Sequence, residues 1–271
     1  RDRLPGLARG WWLALTLVAV VLLAVIVWLL LQTVPEGVDP TWERIQETGV
    51  LRVCTDPSWP PFESIDELSG KIEGFDVDLA RRMAPRLAPG VRAEFVTVGF
   101  DSLYDALLSG RCDAVFSALP YEPMRTEDVA YSIAYFNAGL VLVTGQENVD
   151  IKEVEDLGGR VVGAEWGFVP EGDSRQRIFF QDLGLRRYDT AEATLRALQS
   201  GQVEAVLVDR VSALAYLRDC QGLQVVGKPL TDLNYVIPTR LDSFRLLSEI
   251  NRVLSEMRED GTMEALQERW F

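Results

Sequence analysis

The stretch Val50-Leu-Arg-Val-Cys-Thr-Asp-Pro-Ser-Trp-Pro-Pro-Phe62 decides the fold. Val50–Cys54 is a short apolar run of strand length. Three prolines then end it, because proline donates no backbone hydrogen bond to a ladder. A helix is predicted from about Asp76 to Leu87, with Val77, Leu79, Ala80, Met83 and Leu87 towards a core. Strand Arg92–Val96, helix Ser102–Ser109 and strand Asp113–Ala118 complete a βαβαβ series, and a short helix over Thr41–Glu47 leads into it. Strands alternating with helices of this length predict a mostly parallel sheet with helices on both faces.

The pattern repeats after Thr144. Strand Arg160–Ala164, a helix near Arg175–Asp182, a strand near Arg186–Tyr188, helix Ala191–Ser200, strand Ala205–Val208 and helix Arg210–Arg218 form a second series. Asn234–Pro238 reads as a strand. Helices Ser243–Glu259 and Thr262–Trp270 close the chain, separated by the helix-stopping Asp260-Gly261. Ala138–Thr144 and Gly227–Val236 lie between the two series. If the last helices return to the first series, the chain crosses twice. Two lobes are then expected, 41–142 with 232–271 and 143–231. Between them lies a cleft at the strands' carboxyl ends, where open α/β sheets bind ligands.

Towards the N-terminus the chemistry changes. From Trp11 to Leu31 there are 21 uncharged residues, with Thr16 the one clearly polar side chain. As a helix this run spans about 31 Å, close to a bilayer's hydrocarbon core. A cleavable signal would have an apolar region of roughly 7–15 residues ending in small residues. This run is longer and ends Trp28-Leu-Leu-Leu-Gln-Thr-Val, so a retained transmembrane anchor is expected over 11–31. Arg1, Arg3 and Arg9 precede it, which puts 1–10 in the cytoplasm and the linker 32–40 and everything after it outside.

Net charge is −14, and more negative still beyond the anchor. Such a surface repels nucleic acid, which is not expected as a partner. The chain has no histidine, which excludes His triads, His metal sites and His bases together. No catalytic residue, metal or cofactor is expected. Cys54, Cys112 and Cys220 show no C-x-x-C spacing. They are read first as small buried apolar residues, with one disulfide permitted outside the cell and at least one cysteine left over.

Several segments together resemble the bacterial extracellular solute-binding proteins of family 3, the polar amino acid type. They are Leu51–Phe62, Glu73-Gly-Phe-Asp-Val-Asp-Leu-Ala80, Phe100–Ala114 and the ending Asn251–Phe271, over about Thr41–Phe271. The resemblance implies a type II periplasmic-binding-protein-like fold of two α/β lobes on a two-strand hinge. It also implies that an amino acid or related small amine is delivered to an ABC transporter permease. By position it puts Asp56 and Trp59 in the first ligand loop, with Phe100 facing them. Arg125 takes the place of an arginine that clamps a carboxylate, Asp209 that of a carboxylate that takes an ammonium, and Tyr235 that of a hinge tyrosine.

Pro120, two residues after the site position Ala118, and Phe168 in the turn Trp166-Gly-Phe-Val169 stand where the resemblance implies hydroxyl or N–H donors, and Glu122 stands where it implies a threonine. Glu165 and Trp166 are expected to line the second lobe. A carboxylate would therefore depend mainly on Arg125, and the ligand class stays open between an amino acid and another amine. Simpler roles stand beside these. Trp59 and Phe100 are also read as core aromatics, Arg125 as a helix-face charge, Asp209 as an N-cap of the helix from Arg210, and Tyr235 as hinge packing. Two alternatives accompany transport. One is a ligand-sensing module. The other is a cyclohexadienyl dehydratase-like enzyme, with Glu122, Glu165 or Glu171 as general acid.

Overall fold

The computed structural model describes residues 37–166 and 184–271. The expected anchor at 11–31, the helix expected near Arg175–Asp182, and Phe168 and Glu171 lie outside the described residues. Among the described residues no helix is long and apolar enough to cross a membrane.

In chain order, α1 (Pro40–Thr48) leads into β1 (Val50–Thr55). A hairpin, β2 (Ser64–Ile65) and β3 (Ile72–Glu73), precedes α2 (Phe75–Leu87). Then come β4 (Arg92–Thr97), α3 (Leu103–Leu108), β5 (Ala114–Val115), β6 (Val129–Tyr131), β7 (Phe136–Asn137) and β8 (Leu140–Gly145). They are followed by β9 (Val161–Glu165), β10 (Gly184–Tyr188), α4 (Ala191–Gln199), β11 (Ala205–Asp209), α5 (Arg210–Asp219) and β12 (Leu223–Val226). After β13 (Asn234–Tyr235) and β14 (Pro238–Arg240), α6 (Phe244–Glu259) and α7 (Thr262–Trp270) close the chain.

The strands form two five-stranded sheets, ordered β4-β1-β5-β14-β6 and β10-β9-β11-β8-β12. Neither is as parallel as the strand–helix alternation predicts. β1 runs parallel to β4 and β5, and β9 to β10 and β11. But β14 is antiparallel to β5 and β6, and β8 to β11 and β12. These are the strands beside the two crossings: β8 enters the second sheet and β14 re-enters the first, each against the grain. β7 and β13 pair antiparallel as a separate two-stranded ribbon.

The stretch Ala138–Thr144, read as a connection, holds most of β8. All of Leu140–Thr144 is buried, so the run shows no alternation that would mark a strand. The strand expected at Asp113–Ala118 is shorter, because Ser117 and Ala118 leave the ladder for side-chain partners on other segments. Asn234–Pro238 is split between β13 and β14.

α2 buries Phe75, Leu79, Ala80, Met83 and Leu87 on one stripe. α6 buries Leu246, Ile250, Val253, Leu254 and Met257 at the same kind of spacing. Both stripes and α7 join the core over the first sheet. Five aromatic rings meet there: Phe62 lies 5.2 Å from Phe136, 5.3 Å from Tyr235, 5.8 Å from Phe75 and 5.2 Å from Phe271. The ribbon is thus anchored to this core. Cys54 and Cys112 are buried as expected, yet they are also disulfide-bonded. β1 and β5 are neighbours, which brings their Cα atoms to 5.6 Å. Cys220 is free.

Gly139 marks the crossing into β8. A Cβ there would lie 1.8 Å from the backbone oxygen of Thr231, so only glycine lets the two connecting segments touch. Leu140 N–H then donates to Thr231 Oγ1 at 2.9 Å, and Leu230 N–H to Leu140 O at 2.7 Å.

Candidate functional site

At the carboxyl end of β1 the proline-rich turn presents Asp56 and Trp59. The Asp56 N–H donates to Ser117 Oγ at 3.0 Å, and Asp56 Oδ2 accepts the Phe100 N–H at 3.0 Å. One residue therefore ties three segments together: the Asp56 carboxylate joins the segments after β1 and β4, and its backbone N–H meets Ser117 just after β5. Trp59 and Phe100 are 56% and 52% exposed, which removes them from the core.

These side chains surround a cavity of about 350 Å³. Of the residues singled out from sequence, Asp56, Trp59, Phe100, Ala118, Pro120 and Tyr235 line it. Ser58, Glu63, Ser117 and Leu233 also line it and were not singled out. A second cavity of about 320 Å³ shares Trp59, Leu233 and Tyr235 with the first and adds Asp209, Ser212 and Thr231. Shared walls make the two one cleft that reaches residues from both sheets. No lysine or arginine lines either part among the described residues.

Asp209 ends β11 and caps α5, its Oδ1 accepting the Ser212 N–H at 2.8 Å. Capping and cleft lining thus coexist in one carboxylate. Glu165 ends the neighbouring strand β9. Partial burial raises its carboxyl above the usual range, and the charge of Asp209 adds to this. Tyr235 is buried. Burial first, then Asp209, Asp76 and Glu63, push its phenol up to about 12. Pro120 bridges to Tyr235, which holds this loop against the ribbon.

Arg125 lines neither part of the cleft. Its Nε is 3.1 Å from Glu122 Oε2, and its guanidinium lies 4.2 Å over the Tyr104 ring. Glu122 is thus the partner that a ligand would have to displace. Glu165 is likewise absent from the lining, and Phe168 lies outside the described residues.

Beneath the first cavity lies a buried network. Ser117 Oγ–H donates to Glu63 Oε1 at 2.8 Å. Ala118 N–H and Tyr135 O–H donate to Asp76 Oδ2 at 2.7 and 2.8 Å. Ala118 has φ +43, a left-handed conformation unusual for a residue with a Cβ, and the bond to Asp76 holds it there. Glu63 and Asp76 are 1% and 0% exposed. Burial, then the Asp76 charge, holds the Glu63 carboxyl far above the carboxylate range. Sequence reading passed over both. A signal was present: Asp76 falls in helical register with Leu79, Ala80 and Met83, on the face that should carry no charge.

The model of the bacterial extracellular solute-binding proteins, family 3, matches residues 51–271. An L-cystine-binding protein of Escherichia coli (strain K12) is 31% identical over 230 residues, covering 84% of this chain and 85% of that protein. A putative ABC transporter arginine-binding protein of the same strain is 30% identical, covering 82% of this chain and 90% of its own length. The crystal structure of an ancestral cyclohexadienyl dehydratase superposes with a TM-score of 0.75 at 26% identity, covering 86% of this chain and 97% of the other. The match spans both sheets, the ribbon between them and the cleft, and the chain belongs to the bacterial extracellular solute-binding proteins of family 3.

Proposed function

We propose that this protein is a membrane-anchored, extracytoplasmic receptor that binds an amino acid or related small amine in the cleft and hands it to an ABC transporter. One observation carries the reading: a cleft with exposed aromatic faces at Trp59 and Phe100, carboxylates at Asp56 and Asp209, and no lining cation among the described residues. Aromatic faces cover an apolar stem and attract an ammonium, and a carboxylate completes its shell. The names of the relatives, for cystine and arginine, are consistent with a ligand of this class.

In this reading residues 41–142 with 232–271 form one lobe and 143–231 the other. The β7–β13 ribbon is the hinge, and closure brings Asp209 towards Asp56 and Trp59. The ammonium sits at Asp209, with Glu165 at the end of the neighbouring strand. A ligand carboxylate reaches Arg125 only by drawing it from Glu122. Residues 11–31 hold the protein to the membrane with 1–10 in the cytoplasm and 32–40 as linker, on the strength of the apolar run.

The test is a thermal-shift screen of amino acids and amines, since a binder gains stability as RT ln(1 + [L]/Kd). Arginine, cystine or a polyamine should raise Tm in a concentration-dependent way. A flat response across the screen defeats the receptor reading. An enzyme is the second reading, favoured by the likeness to an ancestral cyclohexadienyl dehydratase and by the raised Glu165 carboxyl. Turnover of a cyclohexadienyl substrate by the purified chain, lost in Glu165→Gln, would establish it instead.

A further inference from the structure

The Glu63–Asp76 network has an incomplete hydrogen-bond account. Glu63 Oε1 is satisfied by Ser117, and Asp76 Oδ2 by Ala118 and Tyr135. The other two oxygens, Glu63 Oε2 and Asp76 Oδ1, are buried without a donor. The two carboxyl groups lie close enough together for each to act on the other's titration. Two bare carboxylates cannot satisfy one another, and both charges would sit in the core without a cation. One proton between the facing oxygens resolves both problems.

We propose that Glu63 and Asp76 share one proton, carried on Glu63 Oε2 and donated to Asp76 Oδ1, and that this acid pair positions Asp56 and the Ser117–Ala118 turn in the cleft. Asp76 is the better anion, because it already accepts a backbone N–H and a tyrosine hydroxyl. Glu63 is the better acid, because it accepts only one hydroxyl. With the proton so placed every atom has a partner. The chain then runs unbroken from Tyr135 and Ala118 through Asp76, Glu63 and Ser117 to the Asp56 N–H. The groups facing the pair are Asp56 on the loop after β1, Tyr135 before β7 and Tyr235 on β13. All are acids or phenols, so none favours ionisation of the second carboxyl. Glu63 lines the cleft as a neutral group, and the fixed negative charge on that side belongs to Asp56.

Burial also shifts the titration of the pair, which sets the sign of a pH effect. The folded chain keeps a proton that an unfolded glutamate releases near 4.5. Stability is therefore fully present below that pH and declines as pH rises, by up to about tenfold in the folding equilibrium per pH unit, until the pair deprotonates. Two measurements on the full chain in detergent micelles test the proposal. Carbon-13 NMR of the side-chain carboxyls, with Glu63 assigned by its absence in Glu63→Gln, should show Glu63 still protonated at neutral pH. The amide signals of Asp56 and Ala118 should move with it when it finally titrates. A Glu63 carboxyl titrating near 4.5 with the exposed glutamates, or Asp56 and Ala118 amides indifferent to its titration, would overturn the proposal. Separately, Glu63→Gln keeps a donor towards Asp76 and an acceptor for Ser117. It should flatten the decline in Tm between about pH 5 and 9, whereas a slope equal to the parent's would sink the shared proton.

Discussion

The two sides of the cleft are built differently. On the first-sheet side, each critical bond spans the sequence: Asp56 to Ser117 across 61 residues, Phe100 to Asp56 across 44, Ala118 to Asp76 across 42. That side rests on a disulfide, an aromatic cluster and a buried acid pair. On the second-sheet side Asp209 is fixed by Ser212, three residues away, and its charge is set by a strand end and a helix start. The first side is a preset shape that many distant segments must agree on. The second is a local device, set by its own turn. The cleft therefore combines one surface that specifies geometry with one that supplies charge.

The largest effect should come from the charged side. Asp209→Ala should weaken binding of an amine-bearing solute by about thirtyfold to several-thousandfold, corresponding to roughly 2–5 kcal/mol. It should also cost about 1 kcal/mol of stability through the lost cap. Asp209→Asn separates the two, since it keeps the cap and removes the charge. If calorimetry finds Asp209→Asn as tight as the parent, Asp209 serves only the helix.

Next, the preset side should lose stability when its long-range ties are cut. Replacing Cys54 and Cys112 by alanine together should cost about 2–4 kcal/mol in denaturant unfolding, because the bond closes a long loop. Cys220→Ala should stay within about 0.5 kcal/mol.

Smaller still, Trp59→Ala and Phe100→Ala should each cost about 0.5–2 kcal/mol of affinity for a cationic solute while changing stability little, since both rings are half exposed. An unfolding midpoint that drops sharply in either variant would return these rings to the core.

The smallest effect expected is that of Arg125→Ala. Its pair with Glu122 is exposed and contributes at most about 1 kcal/mol to stability. Affinity should fall only for a solute with a carboxylate, so comparing an amino acid with its decarboxylated amine reports whether Arg125 ever leaves Glu122.

Much of this was legible in the sequence. Apolar spacing marked α2, the Asp260-Gly261 stop marked the end of α6, and alternation of strands with helices marked β1, β4, β9 and β11, because these signals are local to the chain. Asp209 could be read as both cap and site, since strand end and helix start are local. The resemblance brought Asp56, Trp59, Phe100 and Tyr235 to the cleft. What the sequence could not determine is which polar groups meet across distance. β8 hid because a strand covered on both faces has no alternation. The cysteine pairing needed β1 and β5 to be neighbours. Arg125 turned to Glu122 and Tyr104, a choice among partners that spacing cannot rank. Glu63 looks like an ordinary acid until tertiary packing removes water from it and from Asp76 and leaves an oxygen of each without a donor, because desolvation is a property of the assembled core and not of any segment within it.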